Sequence, residues 1–171
     1  GAVPGPQAQV TVMFEDIADA IRPALDQLFP AGSGVQIIAE PGRYFASECA
    51  TLCTYVISRR LCGEKREKDT EETPERLIYQ NDGVYSSFNC IFFDHCNPMP
   101  LCLKPASEKT YLTTVFGPTC DSLDCIVKCT PLPNLEEGDV VYYESMGAYT
   151  SSAASLFNGM PIADTIYTYS S

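Results

Sequence analysis

The chain has 171 residues, 45% hydrophobic and 19% charged, with a formal net charge of −11. So large an excess of carboxylates argues against a nucleic-acid partner, which needs clustered Lys and Arg. No apolar run reaches the roughly 18 to 20 residues of a membrane span, and no basic stretch followed by an apolar core marks a secretory signal. A cytoplasmic protein is therefore expected.

The chain opens on Gly1-Ala2-Val3-Pro4-Gly5, a glycine-proline loop whose backbone amides could approach a phosphate, or which is simply a turn. Phe14, Ile17, Ile21, Leu25 and Leu28 follow at three- and four-residue spacing, which predicts a helix of about four turns closing near Pro30 and Gly32. Pro23 lies inside it and should kink it. Val35 to Ala39 is an apolar run too short for a helix and predicts a buried strand. Loop, helix and strand in that order make one step of an α/β layered or barrel fold.

After Arg43 the pattern changes. Thr51 to Arg60 suits a long strand, and the charged stretch 63–75 suits an exposed loop. Short apolar segments then recur between turn signals: Leu77 to Gln80, Cys90 to Phe93, Leu101 to Leu103, Tyr111 to Phe116, Val140 to Tyr143 and Thr165 to Tyr169. Strands at that spacing predict a mainly β domain, a sandwich or barrel. A single helix-strand unit cannot bury its own faces, so the front part is expected to belong to a larger α/β array of which more lies upstream.

The nine cysteines (Cys49, Cys53, Cys62, Cys90, Cys96, Cys102, Cys120, Cys125 and Cys129) include no Cys-x-x-Cys pair, and His95 is the single histidine. No zinc site is expected from such spacing. Reduced, mostly buried cysteines filling the core of a cytosolic protein are the expectation.

Two short motifs could carry chemistry. Glu40-Pro41-Gly42-Arg43 puts a carboxylate and a guanidinium at the C-terminal end of a predicted strand, where α/β barrels place active groups. It reads equally as a turn with a local ion pair. Gly117-Pro118-Thr119-Cys120-Asp121-Ser122-Leu123-Asp124 puts a thiol and a carboxylate on a sharp turn after a strand. A thiol can transfer a proton and a carboxylate can hold an ammonium group; the same residues also suit a buried cysteine and a helix cap.

Taken in order with Asp82-Gly83-Val84-Tyr85, Phe88-Asn89, Asp94-His95, Met146-Gly147-Ala148-Tyr149-Thr150 and Phe157-Asn158-Gly159, these motifs closely resemble the eukaryotic-type ornithine decarboxylases over essentially the whole chain. The resemblance implies the last helix-strand part of a pyridoxal-phosphate-binding (β/α)8 barrel over residues 1–48. A mainly antiparallel β domain follows over 49–171, with a crossover back to the barrel near 149–160. It also implies a lyase that converts ornithine to putrescine for polyamine synthesis, acting as a homodimer with sites at the subunit interface and open to an antizyme partner.

Carried over residue by residue, Gly1, Ala2, Arg43 and Tyr149 would hold the cofactor phosphate, and Glu40 would face the pyridine nitrogen and keep it protonated. Asp94 and Asp121 would bind the distal ammonium of the substrate, Asp121 from the other subunit. Cys120 would return a proton to the carbon that has lost carbon dioxide, and Tyr85 and Phe157 would line the pocket and interface. Ala2 stands where the family usually has glycine. The family's cofactor-bearing lysine and ring-stacking histidine come earlier than this chain does, so the chain alone is expected to be inactive. Arginine or lysine as substrate, a non-catalytic binding homologue like the antizyme inhibitors, and a split enzyme remain as alternatives.

Overall fold

The computed structural model describes residues 12–63, 73–103 and 109–169. Gly1, Ala2 and most of the charged stretch lie outside them. Helix α1, Phe14–Leu28, forms where the apolar spacing predicts it and holds Pro23 within its length. The Asp16 carboxylate accepts the Met13 backbone N–H at 3.0 Å, tying off its first turn. Its apolar stripe is largely uncovered: Phe14, Ile21 and Leu28 are exposed, while Ile17 and Leu25 are half-buried.

Residues 35–39 run without a ladder and are not the expected strand: Val35, Ile37 and Ile38 are exposed. A lone strand has no stability without a neighbour to satisfy its backbone, and no described segment pairs with it. The chain instead turns at Glu40, whose carbonyl accepts the Gly42 N–H at 2.9 Å. It then enters the short helix α2, Gly42–Ala46, which runs into a 3-10 turn at Ser47–Cys49.

Among the described residues the β part is one six-stranded sheet in the order β3-β6-β1-β2-β4-β5. Its strands are β1 (Leu52–Leu61), β2 (Arg76–Gln80), β3 (Leu101–Cys102), β4 (Tyr111–Phe116), β5 (Cys125–Leu132) and β6 (Val140–Tyr143). Every pairing is antiparallel except β2 with β4. The long β1 joins two halves. Leu52 to Tyr55 pair with β6, and Val56 to Leu61 pair with β2 past an irregularity between Val56 and Ser58. A bulge of that kind bends a strand and lets it serve two differently oriented ladders.

Three sequence expectations differ from this. Cys90 to Phe93 is the helix α3, not a strand. A four-residue apolar run has no period to separate the two, and it follows the 3-10 turn Ser87–Asn89, which already sets a helical sense. Thr165 to Tyr169 forms no strand, and Ile166, Tyr167 and Tyr169 are exposed. Strand β5 was not foreseen, because Lys128 and Pro131 interrupt its pattern. Proline is tolerated there because β5 is at the sheet edge, where one row of N–H groups has no ladder partner.

The core gathers Val56, Ile78, Val84, Phe88, Val115, Leu135, Val141 and Tyr143, all nearly inaccessible. Phe88 and Tyr143 meet edge to face, 4.7 Å between ring centres. The buried Tyr143 hydroxyl donates to Gln80 Oε1 at 2.9 Å, and Thr54 Oγ1 donates to the same oxygen at 3.1 Å. Burial holds the Tyr143 phenol well above its usual range. The cysteines are less buried than expected: Cys90 is buried, but Cys49, Cys53, Cys62 and Cys120 are exposed. Cys53, for example, falls on the outward side of β1 between the inward Thr54 and the partly covered Leu52. Among the described residues no helix is long and apolar enough to cross a membrane.

Candidate active site

The predicted site residues fall into two groups. The first gathers Arg43, Asp94 and Tyr149. Arg43 stands in the first turn of α2, one helical turn before Ser47, whose hydroxyl donates back to the Arg43 carbonyl at 2.8 Å. Its guanidinium is ion-paired with the Asp94 carboxylate and lies over the Tyr149 ring, 4.9 Å from the centre. Arg43 Nη2 is buried, and the Asp94 carboxylate is the anion that faces it among the described residues. A guanidinium carries five N–H donors, so Arg43 has donors beyond the Asp94 contact that a second anion could take.

Asp94 follows α3, and its second oxygen accepts from the Cys96 thiol at 2.9 Å. Burial first, and the Asp94 carboxylate second, push the Cys96 thiol pKa upward. Cys90 behind it is pushed up to about 12, chiefly by burial. Both thiols therefore stay protonated at neutral pH and act as weak donors, not nucleophiles.

The second group gathers Tyr85, Asp121 and Phe157. Tyr85 and Phe157 stack with ring centres 4.1 Å apart. The Tyr85 hydroxyl donates to Asp121 Oδ2, and the Leu123 N–H donates to Asp121 Oδ1 at 3.0 Å. These bonds favour the charged carboxylate, so the Asp121 pKa is lowered, by the Leu123 amide first and Tyr85 second. The same contact raises the Tyr85 phenol. Cys120, beside Asp121, is exposed at the tip of the turn. Glu40 is exposed too, and among the described residues no contact brings it into either group.

Backbone geometry is unusual at three of these places, and also outside them at Cys129 and Ser145. His95 after Asp94, Tyr149 itself and Asn158 after Phe157 all have positive φ (53°, 54° and 57°) without being glycine. Such conformations cost on the order of 1 kcal/mol or more and cluster at working sites.

Asp82 and Asp124 stand inside the sequence motifs and Cys96 among the cysteines, but the sequence assigns none of them a role in the site. Asp82 accepts from the Gly83 N–H at 2.7 Å, the Ser87 N–H at 2.9 Å and the Ser87 hydroxyl at 2.6 Å, shaping the turn that presents Tyr85. Burial raises its pKa against the opposing pull of these bonds. The available signal was the Asp-Gly pair, a turn former.

Residues 43–147 match the family model described as pyridoxal-dependent decarboxylase, C-terminal sheet domain, and residues 3–47 match that for the pyridoxal binding domain. The chain belongs to the pyridoxal-dependent decarboxylases. Among curated relatives of this family, the ornithine decarboxylase of Cricetulus griseus is 42% identical over 173 residues, covering 99% of this chain and 38% of its own. Antizyme inhibitor 2 of Xenopus laevis is 45% identical over 163 residues, covering 93% and 36% respectively. Among solved structures, the lysine/ornithine decarboxylase of Vibrio vulnificus complexed with cadaverine superposes with a TM-score of 0.71. It is 35% identical over 91% of this chain and 39% of that one. The chain thus spans about 38% of the length of the first relatives it matches.

Proposed function

We propose that this chain supplies the end of the cofactor-binding barrel, over 1–48, and the β domain, over 49–171, of an ornithine decarboxylase that makes putrescine. The observation that carries the reading is Arg43: a partly buried guanidinium three residues past Glu40, with its Nη2 against the Asp94 carboxylate and the Tyr149 ring beside it. That donor set suits a phosphate group, so the chain's residues fit pyridoxal 5'-phosphate. Arg43 and Tyr149 would hold the phosphate, together with Gly1 and Ala2, and Glu40 would stand at the ring nitrogen. When bound, the cofactor supplies an electron sink for the bond that loses carbon dioxide.

The remaining work belongs to the chain's own side chains. Glu40 would keep a proton on the ring nitrogen, which an amide would do far less well. Asp121 is held ionised by its two donors and is suited to an ammonium, and Asp94, ion-paired with Arg43 within this chain, would offer a second carboxylate to that charge. Cys120 has an exposed thiol at the tip of its turn and would deliver a proton to the substrate carbon. Tyr85 and Phe157 would wall the site. In a homodimer Cys120 and Asp121 would complete the site of the partner subunit. The lysine that carries the cofactor would come from sequence outside these residues, and the assembled enzyme would work in the cytosol, with antizyme as a further partner.

The likeness to antizyme inhibitor 2 favours a second reading, a binding homologue without turnover. One assay separates them: release of carbon dioxide from ornithine, lysine and arginine by the whole protein, with and without Glu40→Gln. The enzyme reading expects ornithine turnover that Glu40→Gln lowers on the order of a hundredfold. No turnover with any of the three would favour the binding role.

A further inference from the structure

The turn bearing Cys120 and Asp121 and the turn bearing Tyr85 meet on one side chain, Asp124. This carboxylate is fully buried. Its Oδ1 accepts the Val84 N–H at 2.8 Å, and its Oδ2 accepts the Thr119 N–H at 3.0 Å and the Thr119 hydroxyl at 2.7 Å. The backbone of Asp124 closes the loop behind it: its N–H donates to the Asp121 carbonyl at 3.0 Å, and its carbonyl accepts the Gly117 N–H at 2.8 Å. Both flanking glycines make room for it. A Cβ added at Gly83 or at Gly117 would overlap the Asp124 carboxylate.

All three side-chain partners are donors, and they approach both oxygens. Only a group that accepts on both sides satisfies them. Asparagine, of nearly the same shape, would present its NH2 to one turn and so set donor against donor. The geometry therefore joins the two turns at their base through Asp124 and at their tip through Tyr85 and Asp121. Residue 84 precedes Tyr85 and residue 119 precedes Cys120, so each bond fixes the backbone directly before a site residue.

We propose that Asp124 is a positioning residue: it clamps the Tyr85 turn to the Cys120-Asp121 turn and so sets where the Cys120 thiol and the Asp121 carboxylate stand. The proposal rests on the decarboxylase reading for its catalytic consequence but not for its geometry. A buried carboxylate serving fold stability alone would affect melting, but not the local chemistry of Cys120.

The test is Asp124→Asn in the whole protein, read three ways: steady-state kinetics with ornithine, thermal melting, and the iodoacetamide alkylation rate of Cys120 by peptide mapping, with exposed Cys62 as control. The expected result is a change of roughly threefold or more in the Cys120 rate with Cys62 unchanged, and a fall in kcat/KM of roughly tenfold or more. Thr119→Val removes a single donor and should move both readouts the same way by less, so it decides the matter if Asp124→Asn does not fold. A lowered melting temperature with Cys120 alkylation and kcat/KM both unchanged would overturn the proposal. If the unaltered protein does not turn ornithine over but Asp124→Asn still shifts the Cys120 rate, the decarboxylase reading fails and the clamp stands.

Discussion

Gly147 is the point where the turn bearing Tyr149 touches the segment bearing Arg43, and Gly147→Ala tests that junction. A Cβ at this position would be driven into the Ala46 carbonyl oxygen and would also lie 2.8 Å from the Cys49 sulfur. The thiol can rotate away, but the carbonyl belongs to the backbone of α2, so two turns must separate. Separation strains the bonds from Gly147 N–H to Ser47 O (3.0 Å) and from Met146 N–H to Ala50 O (2.9 Å). Overpacking costs about 1–3 kcal/mol, and each weakened bond adds about 1 kcal/mol. The sum, roughly 3–5 kcal/mol, is a large share of the ~5–15 kcal/mol that holds a typical protein folded. Equilibrium urea unfolding followed by far-ultraviolet circular dichroism should show a lower midpoint at unchanged slope. A midpoint shift equivalent to less than ~0.5 kcal/mol, the usual size for an innocuous surface change, would refute the close approach of the two turns.

Two further outcomes follow from the hydrogen bonds. Tyr143→Phe removes one of the two donors to Gln80 Oε1 inside the core and leaves Thr54 in place. It should cost about 1 kcal/mol by the same unfolding measurement, and a neutral result would mean the hydroxyl is not engaged. The Tyr85 contact with Asp121 should show at both ends of the pH range. The Tyr85 pKa is raised in the fold, so its contribution is complete below the ordinary tyrosine value of 10.0 and is lost as pH rises through the raised one. The Asp121 pKa is lowered, so its contribution is complete above 3.8 and is lost as pH falls through the lowered one. Melting temperature against pH should therefore fall less steeply above pH 10 in Tyr85→Phe than in the unaltered protein. Parallel curves would count against the contact.

Local signals in the sequence were enough for α1, whose apolar residues recur with the helical period, and for β1, β2, β4 and β6, whose apolar runs are bounded by turn formers. They also located the motifs that gather here, because Gly-Pro and Asp-Gly pairs mark sharp turns whatever surrounds them. Period alone could not separate a four-residue helix from a strand at Cys90 to Phe93, nor show that Pro131 would be harmless at a sheet edge. Those are questions of what lies alongside, and a linear pattern carries no such information.

The same division holds at the site. The sequence by itself determined which chemical groups are available: a carboxylate and guanidinium three residues apart, a thiol next to a carboxylate, and the ordered motifs of a decarboxylase family. Only the tertiary structure decided which of them meet. Arg43 and Asp94 are 51 positions apart in the chain and form an ion pair, and Tyr85 reaches Asp121 across 36 positions. Asp124 looked like one more acidic turn residue until the fold enclosed it between two glycines with three donors aimed at it. The physical reason is that hydrogen bonds and ion pairs depend on distance and direction in space, which the chain acquires only when β1, β2, β4 and β5 assemble and bring its turns together.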